Sequence, residues 1–373
     1  MNDDMSRAAH PHARRAPRGV ALDHREDADR LFAVDDAART RPVSIVAERR
    51  LGETDLALYP FALGTGRLAV VDEDAAARVL QRFAARGGAL YDVVDEDGSG
   101  RSQQIVGAWL QANRPAKVVT VLTPSPERDG GRATGGARIV RSVEAALRRL
   151  RLDHIDLLTL DLRGQDLTLD QRLGAVDELV AAGKIRFAGA DGVTGAGLIE
   201  ARVLAGDGLA RIVAVRAGWD VTSRPSELAE LRMIAAAQQL GILPDATPLT
   251  LALTRPSLPQ KVLAGWTRGA RPDRPSDSDE PRAATRGCQR ATEVLAGRGR
   301  EHRIALALDR VSAELGIAPA MTQLAWLLAK RGVVAPVVHV TRPEQIDPLM
   351  DSAAVRLTRA EMLELDRAVE AQR

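Results

Sequence analysis

The stretch ALYDVVDEDGSG, residues 89 to 100, ends an apolar run and then sets Asp92, Asp95, Glu96 and Asp97 within six positions. Acids at that density do one of three things. They face water, they hold a hard divalent cation through oxygen, or they repel one another until one keeps its proton and works as an acid beside an ionised base. A calcium loop is excluded by spacing: with its glycine on Gly98, the first ligand position would be Val93 and the twelfth Gln104. A divalent ion held by Asp92, Asp97 and a further strand-end acid, Asp161, is the lesser alternative, and no metal site is assigned.

Such acids need a frame that fixes them. Between residues 61 and 339 short apolar runs alternate with longer amphipathic ones. The runs near 61–64, 89–93, 118–122, 156–160, 185–190, 212–216, 242–246 and 334–339 read as strands. The segments DEDAAARVLQRFAARGG, ARIVRSVEAALRRLRLD, TLDQRLGAVDELVAAGK and PSELAELRMIAAAQQLG carry apolar residues at helical spacing, and several run into Gly, which stops helices. Strand then helix, eight times over, predicts an α/β protein of the (β/α)8 TIM-barrel type, with VSIVAERRLGETDLALYPFAL forming a β-hairpin ahead of the first barrel strand.

The 373 residues are 45% hydrophobic and 27% charged, enough to bury one large core. Because 52 basic side chains oppose 50 acidic ones, the net charge is +2, and no bulk field draws nucleic acid or membrane despite a pI near 9.0. No apolar run reaches about 18 residues and the N-terminus has no apolar signal core, so neither a membrane span nor secretion is expected. The single cysteine, Cys288, provides no disulfide and no cysteine metal site, which fits the cytoplasm. Residues 1–42 are expected as a disordered tail and 43–373 as the barrel, with 265–300, rich in Pro, Gly, Ser and Arg, as a long mobile loop after the seventh barrel strand.

Several segments resemble the aldo-keto reductase superfamily. RRLGETDLALYPFALGTGRL is similar to its opening hairpin and first strand, RSVEAALRRLRLDHIDLLTL to its third helix and fourth strand, and VDELVAAGKIRFAGADG to its fourth helix and fifth strand. ELGIAPAMTQLAWLLAKRGVVAPVVHVTRPEQI is similar to its final helix, eighth strand and cofactor-adjacent turn. The resemblance spans about residues 46–370 in order. It implies NADPH-dependent carbonyl reduction by an Asp, Tyr, Lys, His tetrad on strand ends.

Set on this chain, the resemblance keeps one member of that tetrad. Asp92 holds the acid position, whereas Asp97 stands for the tyrosine, Thr123 for the lysine and Asp161 for the histidine. The cofactor positions differ too. Asp191 and Gly192 replace a Ser-Asn pair, Arg216 a glutamine and His339 a glycine, while Trp219 stands for the aromatic that stacks on nicotinamide. In VTRPEQI, Arg342 and Gln345 fall near where the family holds the adenosine 2′-phosphate. Bland readings stand beside these: Arg342 as a surface arginine, His339 and Trp219 as packing, and Arg216 as the ion-pair partner of Asp191.

Ketone reduction needs a proton donor at the carbonyl oxygen and a cation to steady the charge that grows there. An ionised aspartate about 4 Å away does the opposite, and at an effective dielectric near 20 it repels the oxyanion by about 4 kcal/mol. That is on the order of a thousandfold in rate. If Asp92, Asp97 and Asp161 converge at the catalytic end of the barrel, mutual repulsion and burial raise at least one pKa and leave a coupled acid and base. The expectation is non-redox acid/base chemistry, such as dehydration, isomerisation or cyclisation, on a small organic ligand bound with the help of Trp219, Arg216, His339 and Asp191, with no cofactor required. The alternatives are an inactive pseudoenzyme with a protein partner, and a residual NADPH-dependent carbonyl reductase.

Overall fold

A computed structural model describes residues 48–94, 99–124, 135–162, 167–219, 221, 223, 225–246, 299–300 and 303–370. The expected tail 1–42, Asp97 and residues 265–298 of the expected loop lie outside the described residues.

Residues near the N-terminal side form an antiparallel hairpin, β1 (Arg49–Arg50) and β2 (Ala57–Leu58). Eight parallel strands then close into a barrel: β3 (Ala62–Gly64), β4 (Leu90–Asp92), β5 (Val119–Leu122), β6 (Ile155–Asp161), β7 (Ile185–Asp191), β8 (Ile212–Gly218), β9 (Gly241–Asp245) and β10 (Val337–His339). β10 pairs with both β9 and β3, which seals the ring. Around it run α1 (Glu73–Ala85), α2 (Arg101–Asn113), α3 (Gly136–Leu150), α4 (Leu169–Ala181), α5 (Gly195–Gly206) and α6 (Pro225–Ala237). They are followed by α7 (Arg303–Leu315) and α8 (Pro319–Leu328) before β10, and by α9 (Ile346–Asp351) and α10 (Arg359–Glu370) after it. This is the (β/α)8 barrel with an N-terminal hairpin that the periodicity predicts.

The two-residue period of a strand divides its side chains between lumen and outer layer. Ala62, Leu90, Val119, Val121, Leu157, Ala214, Leu243 and Val337 form one buried cluster in the lumen, closed below by Leu51, Leu56 and Leu58 of the hairpin. Leu63, Tyr91, Leu122, Leu158, Val215 and Val338 belong to a second, larger cluster under the helices. Counting on by twos along the lumen face brings Asp92, Asp191, Arg216, Asp245 and His339 to the inner side at the C-terminal ends of their strands. That is the end at which barrel enzymes carry their chemistry.

Local signals set the element ends. Asp72 caps α1 by accepting from Ala75 N at 2.7 Å. Gly183 takes φ +67 in the turn from α4 into β7, a conformation that side chains resist. The last barrel strand is shorter than its apolar run of 334–339 suggests. Pro336 has no N–H to give to the ladder, so the run is interrupted there: Val334 N donates to Ile242 O at 2.9 Å, the strand proper begins at Val337, and Val334 and Ala335 still fill the lumen. Among the described residues no single helix is long and apolar enough to cross a membrane.

Candidate active site

Arg216 is the hub of the barrel mouth. Its Nη2 donates to Asp92 Oδ2 at 2.9 Å and to Asp245 Oδ2 at 3.1 Å, and its Nη1 lies 3.6 Å from Asp191 Oδ2. In the closed ring β8 sits between β7 and β9 and directly across from β4. The guanidinium therefore reaches both neighbouring strands and spans the lumen to the opposite one. His339, 3% exposed, brings Nε2 to 4.0 Å from Asp245 Oδ1. Its ring lies against Gly64, where an added Cβ would collide with it, so β3 must carry glycine there for the imidazole to fit.

Asp92 is fully buried, and its Oδ1 has no hydrogen-bond partner among the described residues. Burial pushes its pKa above the usual carboxylate range, and the nearby charges of Asp245 and Asp191 push the same way. Arg216 and His339 oppose the rise without cancelling it. A carboxyl in that state holds or gives up a proton at a pH where an ordinary aspartate is already ionised.

The residues named from the sequence are thus only partly brought together. Asp92, Asp191, Arg216 and His339 meet in one cluster. Asp161 ends β6 on the exposed rim with its Cα in register with Asp191, and it is not among the charges that shift Asp92. The expected convergence of Asp92 and Asp161 gives way to an ion cluster around Arg216. Asp245 takes part in that cluster and was not singled out by sequence reasoning. The signal was present, because Asp245 is two residues beyond the lumen-facing Leu243 on the same strand.

Trp219 is in a different place from the one the resemblance implies. It is 3% exposed and packs in the outer layer, with the Arg232 guanidinium 4.8 Å from its ring centroid, so its face is taken up under α6. The residue just past Gly218 falls on the outer parity of β8, which turns the ring away from the lumen.

Neither tyrosine of the chain reaches the mouth. Tyr91 adjoins Asp92 in sequence, which forces it onto the opposite face, where it is buried against Phe83 and Trp109 at centroid distances of 5.5 and 6.2 Å. Tyr59 precedes β3 at the far end of the barrel and donates to Met350 O at 2.9 Å. Lys117 and Lys184 also sit ahead of their strands, bound to Glu48 and Glu144, and Lys330 pairs with Asp366 in the helical layer. Lys261 lies outside the described residues. At the position for which the resemblance implies lysine, Thr123 shares a 2.6 Å hydrogen bond with Thr159, two neutral hydroxyls.

The turn after β10 bears on a dinucleotide. Gln345 Oε1 accepts from Thr341 N at 3.0 Å and from Arg342 N at 3.1 Å, so the side chain braces its own turn. Half-buried Arg342 remains as a cation there.

Comparison with known proteins agrees with the fold. The model of the Aldo/keto reductase family matches residues 60–370. The uncharacterized oxidoreductase YrpG of Bacillus subtilis (strain 168) is 26% identical over 322 residues, covering 82% of this chain and 91% of its own length. Aldo-keto reductase AFTS1 of Alternaria alternata is 23% identical, with 90% of this chain and 97% of that protein covered. An aryl-alcohol dehydrogenase [NADP(+)] of Phanerodontia chrysosporium is 23% identical over 83% of this chain and 79% of its own.

Proposed function

We propose that this chain, which belongs to the aldo/keto reductase family, uses its barrel mouth for non-redox proton transfer on a small organic molecule: dehydration, isomerisation or cyclisation. The observation that carries this reading is Asp92, a fully buried carboxyl with one oxygen on Arg216 and the other without a hydrogen-bond donor among the described residues. Its raised pKa suits it to give a proton to an oxygen of the substrate. Asp245 and His339, 4.0 Å apart, supply the complementary base, and Arg216 keeps the acidic set from flying apart. Asp161, on the exposed rim, takes no part in this step, and Asp97 lies outside the described residues. Reduction by the family's means would need a phenol at the carbonyl oxygen, and both phenols of this chain are committed elsewhere.

The test is proton exchange. Incubation with a panel of ketones and hydroxy-ketones in D2O is expected to place deuterium at the carbon next to the carbonyl. Asp92→Asn is expected to lower the rate by about a hundredfold or more, the usual scale of a general acid or base. Absence of exchange throughout the panel, or equal exchange by the variant, would refute the assignment.

A second reading, an NADP(H)-dependent oxidoreductase, is favoured by the names of the relatives, one of which carries NADP(+) in its name. Calorimetric titration with NADPH separates the two. Submicromolar binding together with NADPH consumption on aldehydes would favour the redox reading.

A further inference from the structure

We propose that the outer face of α5 and α6 is an interface between two copies of this chain, related by a two-fold axis that runs parallel to α5. Both helices lie outside the barrel wall, so the inference does not depend on the chemistry assigned to the mouth.

A barrel helix buries one face against the strands and turns the other to water, so its outward side should be polar. α1 obeys this rule, with Glu73, Asp74, Arg78 and Arg82 exposed. α5 does not. Its sequence, GAGLIEARVLAG, is charged only at Glu200 and Arg202, and a helix that is apolar all round is ordinarily a buried one. Here Leu198 and Ala201 pack inward, whereas Ile199 is 53% and Val203 61% exposed. α6 extends the face: Ala229, Met233 and Ala237 recur at helical spacing on its exposed side, and Met233 is 67% exposed. The two helices are neighbours, since a Cβ added at Gly195 of α5 would strike the Glu230 side chain of α6. Three of the seven large apolar side chains exposed among the described residues thus stand on one adjoining pair. Scattered singly they would need no explanation, but grouped they mark a surface that another molecule covers.

The charges beside that surface identify the molecule. At about 100° per residue, Ala196, Ile199 and Val203 form one stripe along α5, with Glu200 on one flank and Arg202 on the other. Both charges are exposed, and neither makes an ion pair or hydrogen bond among the described residues. A two-fold axis parallel to the helix sets the Glu200 flank of one copy against the Arg202 flank of its partner, and does so twice per dimer. An axis perpendicular to the helix would set like charges together. A stripe flanked by opposite charges is therefore complementary to itself in one orientation.

Area decides how tight the pair can be. Helices of 12 and 13 residues are about 18–20 Å long. Side by side at about 10 Å they offer roughly 400 Å² per copy. That is about half of what a standard interface buries on each partner, which makes the dimer reversible rather than permanent.

The test is sedimentation velocity of the full-length chain from about micromolar to about half-millimolar concentration. A monomer–dimer equilibrium with a dissociation constant of about 10–100 µM is expected. Val203→Asp puts a charge at an exposed position in the stripe and should weaken association by about tenfold or more, with an unchanged thermal melt as the control for folding. Glu200→Arg or Arg202→Glu alone brings like charges together at both symmetry-related contacts and should weaken it by about threefold to tenfold. The double variant Glu200→Arg/Arg202→Glu should restore it. A chain that stays monomeric throughout, its face covered by its own residues or by a different protein, overturns the proposal. So does a Val203→Asp variant that associates as the native chain does, or a double variant no tighter than the single ones.

Discussion

Replacing Arg216 by methionine keeps most of the volume at the barrel mouth and removes the charge that three carboxylates share. The Arg216 side chain is 11% exposed, Asp92 is fully buried, and Asp191 and Asp245 are 27% and 28% exposed. For charges about 4 Å apart at an effective dielectric near 20, the attraction of Arg216 for Asp92 is worth about 4 kcal/mol. The partly solvated pairs to Asp191 and Asp245 add less, since water screens them. Taking an aspartate out of water costs several kcal/mol, so the native arrangement comes close to balance and the variant does not. Loss of about 3–5 kcal/mol is expected at neutral pH, the scale for breaking a buried pair from one side.

The loss has a sign that pH reveals. The folded pKa of Asp92 lies above its unfolded value of 3.8, so the stability linked to its proton is fully present below that value and disappears as pH rises through the folded pKa. Removing Arg216 moves the folded pKa further up, because the leading opposing charge is gone. Urea unfolding of Arg216→Met should therefore show a small deficit near pH 4.5 and a large one near pH 8. The double variant Asp92→Asn/Arg216→Met should recover about 2 kcal/mol or more of it, since the amide carries no charge to strand. An equal deficit at both pH values, or strict additivity in the double variant, would refute the view that Arg216 exists to neutralise a buried acid.

Three further outcomes follow from the same geometry. Tyr91→Phe removes a buried hydroxyl that has no partner among the described residues, so it should leave stability unchanged or raise it by up to about 1 kcal/mol with no loss of proton exchange; a large loss of activity would bring a phenol back into the mechanism. Gly64→Ala drives a methyl into the His339 ring and should cost about 1–3 kcal/mol in chemical unfolding, with the His339 ring protons shifted in the NMR spectrum. Burial raises the pKa of Asp347, but its bonds to Arg82 and Arg86 outweigh that and hold it below the ordinary range. Its contribution is therefore present above its unfolded value of 3.8 and lost as pH falls further. Because the pairs are partly exposed, Asp347→Asn should cost no more than about 1 kcal/mol at neutral pH, less in high salt, as thermal melts would report.

Much of the architecture was legible along the chain. The alternation of short apolar runs and amphipathic helices located all eight barrel strands to within a few residues, and the one clear shortening, at 334–336, has its cause in Pro336. Period two decides on which face each strand-end residue stands, whereas Asp92, Asp191, Arg216 and His339 were named from the positions that the resemblance implies. The same rule placed Tyr91 and Trp219 on the outer face, and the resemblance pulled Trp219 toward the lumen against it. Asp245 was missed because its neighbours in sequence are apolar and no cluster of acids drew attention to it.

Which of these groups touch was a matter for the closed ring alone. Strand order β10-β3-β4-β5-β6-β7-β8-β9 puts β8 beside the strands of Asp191 and Asp245 and opposite that of Asp92, and no local pattern encodes a distance across a lumen. Sequence fixes faces because side-chain alternation is a property of two successive residues. Contacts among residues far apart in the chain depend on how eight strands close and shear, and on a long arginine side chain finding its three acids once they have done so.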